Sequence, residues 1–145
     1  YSMSLATDLH GYLTRRRELG AVVGGRLFVA SVPVGVSMPY IVMQQVGLTS
    51  DPYLAGASGL YSASYQLDCY ATTVETADRM ANELRLALDG YQTDDFPTVA
   101  LEGVKLEGDR MDVSYDRPGE QNYTHRRTLD FTLWYRDSVP SFPAP

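Results

Sequence analysis

The chain has 145 residues, 44% of them hydrophobic, which suffices for one core and leaves little room for two. A single cysteine, Cys69, excludes an intrachain disulfide framework and a closed cysteine-rich zinc site. Twelve basic against eighteen acidic side chains give a net charge of -6, which argues against tight binding to a phosphate backbone; no run approaches the roughly 18 apolar residues of a membrane span.

The N-terminus lacks a basic segment followed by an apolar one, and translation is expected to start at Met3, with Tyr1 and Ser2 as additions ahead of it. Ser4 is a candidate N-cap. Leu5, Leu9, Tyr12 and Leu13 follow at helical spacing, and Arg15, Arg16 and Arg17 fall where cations suit the end of a helix dipole. This first helix is expected to stop at Gly20. After Gly24 and Gly25, residues 26–30 read as a short strand and Pro33 to Pro39 as loop; Tyr40 to Val46 resumes as a strand. Asp51 to Gly59 has the composition of a flexible connection.

Leu60 to Ala71 alternates, with Tyr61, Ala63, Tyr65, Leu67 and Cys69 on one face and Ser62, Ser64, Gln66 and Asp68 on the other, the pattern of a half-buried antiparallel strand. Thr72 with Glu75 fits a capping box. Val74, Ala77, Met80, Ala81, Leu84 and Leu88 then form one helical stripe that ends at Gly90. In Val99 to Glu107 the apolar phase slips at Gly103, which predicts a strand with a bulge. Gly108 to Asn122 is polar and contains Pro118 and Gly119, so it reads as a long loop and a candidate contact arm.

Tyr123 to Arg136 alternates again, with Leu129, Phe131, Leu133 and Tyr135 on the apolar face of a long last strand. The pattern predicts an α+β fold: a single domain over residues 3–137, a twisted, mostly antiparallel sheet with two packed helices in the order α-β-β-β-α-β-β. Residues 138–145, with three prolines, are expected to form an extended tail.

No catalytic constellation emerges. His10 and His125 have no second ligand at metal spacing, so no metal is expected. Gly20 to Gly25 lacks the Lys-Ser/Thr of a phosphate loop, and no cofactor site follows from it. Ser58 stands in Gly56-Ala57-Ser58-Gly59-Leu60, which does not complete a nucleophile elbow. Asp94 and Asp95 read as solvated loop charge, and Cys69 as a buried, inert thiol. The chain is therefore expected not to be an enzyme. Eleven tyrosines, many at strand positions, suit both subunit interfaces and plain strand propensity.

Ordered landmarks carry a resemblance. They are Gly24-Gly25-Arg26-Leu27-Phe28, Pro39-Tyr40-Ile41-Val42, Gly56-Ala57-Ser58-Gly59-Leu60, Gln66-Leu67-Asp68-Cys69-Tyr70-Ala71, Ala87-Leu88-Asp89-Gly90 and Trp134-Tyr135-Arg136. In this order and spacing the sequence resembles the small tail completion or tail terminator proteins of tailed phages, prophages and gene transfer agents. The resemblance implies a virion structural subunit, built in the host cytoplasm, that closes into a homo-oligomeric ring, typically a hexamer. That ring would cap the tail tube protein, end its polymerisation and offer a face to the head-tail connector or stopper protein.

A ring needs contacts between different patches of each subunit. Leu48 to Leu60 and Gly108 to Asn122 are the candidate segments, with Asp51, Pro52, Tyr53, Leu54, Ser58, Arg110, Asp112, Tyr115, Arg117 and Tyr123 as candidate interface residues. DNA would pass through the lumen without specific binding, past a wall kept negative by the acidic subunits. The alternatives are an adaptor or stopper ring of the neck and, from another class, a small ligand-binding α+β domain.

Overall fold

A computed structural model describes residues 3–50, 60–89, 91, 96, 97, 99–115 and 123–136. The elements are helices α1 (Met3–Thr14) and α2 (Arg17–Val23), strands β1 (Leu27–Val29), β2 (Tyr40–Ser50) and β3 (Leu60–Ala71), helix α3 (Val74–Leu88), and strands β4 (Ala100–Tyr115) and β5 (Tyr123–Arg136). The fold is α+β as the periodicities predict, with three helices among the described residues where two were expected.

The extra helix has a local cause. Leu19 lies six residues after Leu13, which on one continuous helix would place it about 240° around the axis, away from the core. The chain breaks instead: Thr14 Oγ1 donates back to the carbonyls of His10 (2.9 Å) and Gly11 (3.1 Å), and Arg16 turns extended at φ -71°, ψ 116°. The break lets Leu19 and Val23 join Leu5, Leu9 and Leu13 in the core. Gly20 therefore lies inside α2, and the helix stop is Gly24, whose φ of 58° suits a residue without a Cβ and whose N–H donates to the Gly20 carbonyl at 2.8 Å.

One sheet runs in the order β1-β2-β3-β5-β4; β1 is parallel to β2 and all other pairs are antiparallel. Because β5 lies between β3 and β4 and opposes both, β3 and β4 are parallel, and α3 is the crossover between them. The capping residue of α3 is Thr73, one position after the expected Thr72. The Thr73 hydroxyl accepts from the Thr76 N–H at 3.2 Å, so no Glu75 box closes on it. Ala77, Met80, Ala81, Leu84, Ala87 and Leu88 are buried, while Val74, counted in the expected stripe, stands exposed in the first turn.

The core lies between the helices and one sheet face, where Leu67, Leu129, Phe131, Leu133 and Tyr135 meet Leu84 and Leu88. Each such side chain contributes about 1.5–3 kcal/mol by burial. Polar ties fix α1 across this core. Asp8 accepts from the Val99 N–H at 2.9 Å, Tyr12 OH donates to the Ala87 carbonyl at 2.7 Å, and His10 Nε2 donates to the Leu27 carbonyl at 2.8 Å. Tyr12 also packs edge-on to Tyr91, with ring centroids 5.2 Å apart. His10 is thus a structural histidine.

The largest difference from the sequence reading is in Gly108 to Asn122, expected as loop. Residues 108–115 continue β4 and pair with 123–130 of β5, down to Tyr115 opposite Tyr123. Met111 and Val113 already alternate with Arg110 and Asp112 in the sequence. Charges on both faces of the strand conceal that period, because it no longer appears as apolar against polar. The expected extended tail, 138–145, and the turn composition of 51–59 lie outside the described residues.

Candidate assembly surfaces

Two long hairpins shape the molecule, β2–β3 and β4–β5. In the β3–β5 register Leu60 faces Arg136 and Ala71 faces His125, so the strand ends at 50/60 and at 115/123 lie at opposite ends of the sheet. Twelve residues of β3 at roughly 3.3 Å each separate those ends by about 36 Å. Of the sequence-predicted contact residues, Asp51, Pro52, Tyr53, Leu54, Ser58 and Arg117 lie outside the described residues. Arg110, Asp112, Tyr115 and Tyr123 are in the distal half of the β4–β5 hairpin, near the end away from the 50/60 junction.

The face of the sheet opposite the helices carries a ladder of paired side chains. Arg110 Nη1 donates to Asp130 Oδ2 at 2.6 Å and Arg126 Nη2 to Asp112 Oδ2 at 2.8 Å. Bonds to Asp112 and then to Tyr70 raise the Arg126 guanidinium further above its ordinary range. Thr128 donates to Asp68 at 2.5 Å, and Gln66 Nε2 donates to the same carboxylate at 3.1 Å, which satisfies a buried acid. Phe28, Tyr40 and Tyr70 line up beside them, the two tyrosine rings stacked at 5.0 Å.

On the helix side, beyond the apolar core, Arg127 ties the distal hairpin to α3. Its Nε and Nη2 donate to the two oxygens of Asp109 at 2.6 and 2.7 Å, and its Nη1 donates to Asp78 on α3. The bidentate bond from Arg127 holds Asp109 below the usual carboxylate range, against partial burial that acts the other way. Arg85 of α3 adds a longer contact to Asp109, 3.7 Å.

Among the described residues three bulges mark the sheet margins. The register skips between Gln45 and Gly47, between Leu101 and Gly103, and between Leu106 and Gly108. The extra residues are Val46, Glu102 and Glu107, all exposed, and each is followed by glycine. Sequence reading found the slip at Gly103 and missed the other two. A repeated Glu-Gly in Glu102-Gly103 and Glu107-Gly108 was the available signal. A Cβ at Gly108 would come within 3.3 Å of Asp130 Oδ2, which explains why a small residue follows that bulge.

Catalytic chemistry has no geometric support among the described residues. Cys69 is fully buried, and burial pushes its thiol well above the ordinary range, opposite to what a nucleophile requires. Among the described residues no group of three His, Cys, Asp or Glu is arranged to hold a metal, and no described helix is long and apolar enough to cross a membrane.

A sequence model of the family described as tail completion protein gp17 matches residues 7–136. The chain belongs to that family. That membership makes the chain a phage tail structural protein. Among solved structures it is similar to a chain from the "virion of native gene transfer agent (GTA) particle", with a TM-score of 0.63 at 18% identity, covering 92% of this chain and 98% of that one. At that identity the likeness shows the fold. A second solved chain, at 13% identity and a TM-score of 0.43, is too distant to carry an argument. Against curated proteins the sequence finds no match.

Proposed function

We propose that this tail completion protein is a tail terminator: copies close into a ring, of six subunits, that caps the last ring of the tail tube and stops its growth. The ring's other face receives the head-tail connector or stopper protein, and DNA passes through the lumen without specific binding. Assembly takes place in the host cytoplasm, and no catalysis is involved.

The observation that carries this reading is the family match over residues 7–136, taken together with two antiparallel strand pairs whose connected ends lie at opposite ends of one sheet. A subunit between two different partners needs two separate contact surfaces, and ends about 36 Å apart can touch tube and connector without competing. The 50/60 end with Asp51, Pro52, Tyr53, Leu54 and Ser58 is assigned to one partner. The distal β4–β5 hairpin with Arg110, Asp112, Tyr115, Arg117 and Tyr123 is assigned to the other. Work of this type is differential binding, so paired surface charges that set orientation matter more than reactive groups.

The test is the mass of the purified chain in solution, alone and with tail tubes imaged by electron microscopy. Rings seated on one tube end, with tubes that no longer elongate, are expected. A chain that ignores tube ends and instead binds the portal side of a head would replace the terminator with an adaptor or stopper ring.

A further inference from the structure

We propose that the outer edge of β2 between Gln44 and Ser50 receives, as an added strand, residues 137–142 of a second copy of this chain. The proposal deepens the ring reading and rests on it. β1 is the strand beside β2 at this margin of the sheet, but β1 has three residues and β2 eleven. Their pairing runs from Leu27 opposite Ile41 to Val29 opposite Met43, and the Ala30 N–H then donates to the Met43 carbonyl at 2.9 Å. At Ala30 the backbone takes φ 67°, a left-handed conformation that a residue with a Cβ adopts at a cost, and the chain leaves the sheet. Among the described residues no strand lies on that side of β2 from Gln44 to Ser50.

Strand edges are normally blunted by charge, proline or bulges. β4, at the opposite margin, is blunted: two bulges carry exposed Glu102 and Glu107, and Lys105, Arg110 and Asp112 add charge. The open part of β2 has one bulge and neither charge nor proline. Within it Val46 is 57% exposed and Leu48 42%. A row of backbone donors and acceptors beside apolar side chains suits an extended, uncharged segment that adds as a strand.

The sequence after β5 meets that description. β5 ends at Arg136 opposite Leu60, and Ser50 lies opposite Tyr61, so the chain leaves the sheet at the end where the open edge finishes. Residues 137–145 carry one charge, Asp137, and the apolar Val139 and Phe142, whereas 116–122 carry Asp116, Arg117 and Glu120. Pro140 fits an added strand when its nitrogen faces away from β2; Val139 and Ser141 then turn their N–H groups toward it, and Pro143 ends the pairing. A chain cannot fill its own edge in this way. From β5 the segment must pass β3 and β2, three strand spacings or roughly 14 Å, which takes about four residues and leaves Ser141 to Pro145 with prolines at 143 and 145. A neighbour brings all of 137–142. Each copy then gives one segment and receives one, the head-to-tail contact that closes rings.

Disulfide cross-linking tests it with two variants, Leu48→Cys and Val139→Cys, one of them carrying an affinity tag. Cys69 is buried and does not compete. Mixed under an oxidant, the two are expected to form a covalent heterodimer, and a chain with both substitutions a ladder of linked copies. Rings that form by mass without this cross-link, or a double variant that closes its disulfide within one chain, overturn the contact. Proline placement checks the register: Ser141→Pro is expected to lose the ring species by mass and Ser138→Pro to keep it, and any other pattern overturns the strand pairing. A wild-type chain that stays monomeric with and without tube ends overturns the ring reading itself, and this contact with it.

Discussion

Replacing Arg127 with alanine should destabilise the subunit by about 2 kcal/mol at neutral pH. The bidentate Arg127–Asp109 pair joins β5 to β4, with side chains 22% and 19% exposed, and the same guanidinium donates to Asp78, which ties the distal β4–β5 hairpin to α3. A fully exposed pair contributes under about 1 kcal/mol, whereas a charge-assisted bond that is mostly covered contributes roughly 1.5–3. Removing the guanidinium also leaves Asp109 with only the 3.7 Å contact to Arg85. At this chain length the loss corresponds to a fall of about 6 °C in melting temperature.

The pH dependence gives the same argument a sign. Arg127 lowers the Asp109 pKa in the folded state, so its stabilisation is present above the ordinary carboxylate value, about 3.9, and is lost as pH falls through the lowered folded value. Denaturant titrations of wild type and Arg127→Ala from pH 7 down to pH 3 are the assay. The gap between them should narrow on acidification. A gap under roughly 0.5 kcal/mol at pH 7, or one that does not change with pH, would show that the network is solvent-screened and does not anchor the hairpin.

Other expectations follow from single contacts. Thr73→Ala should cost about 1 kcal/mol by urea unfolding through loss of the α3 cap, and Thr72→Ala close to nothing; the reverse order would restore the capping assignment made from sequence. Tyr12→Phe keeps the ring packing on Tyr91 but leaves the Ala87 carbonyl unpaired, a loss of about 1–3 kcal/mol in the same assay. Cys69 should resist a thiol reagent at neutral pH until the chain unfolds. Since its folded pKa is raised, stability should also fall as pH climbs above about 8.5, where the unfolded thiol ionises and the folded one does not. Labelling at the native-state rate of a free thiol would refute that burial.

The alternating runs Leu60–Ala71 and Tyr123–Arg136 and the stripe of α3 were legible in sequence because each buries one face, and burial of one face leaves a period in the residues themselves. The α+β class and the family resemblance came from the same level. Three errors came from interactions that run between segments. The α1–α2 break depends on Leu13 and Leu19 reaching one core from different helices, and the capping residue shifted by one to fit the α3 stripe onto the sheet. The extension of β4 to Tyr115 depends on partners far along the chain: Arg110 is satisfied by Asp130, Asp112 by Arg126 and Asp109 by Arg127. Sequence periodicity thus determined which segments face a core. Only the tertiary structure decided which charges meet and which margins stay open, because strand order places residues far apart in the chain side by side.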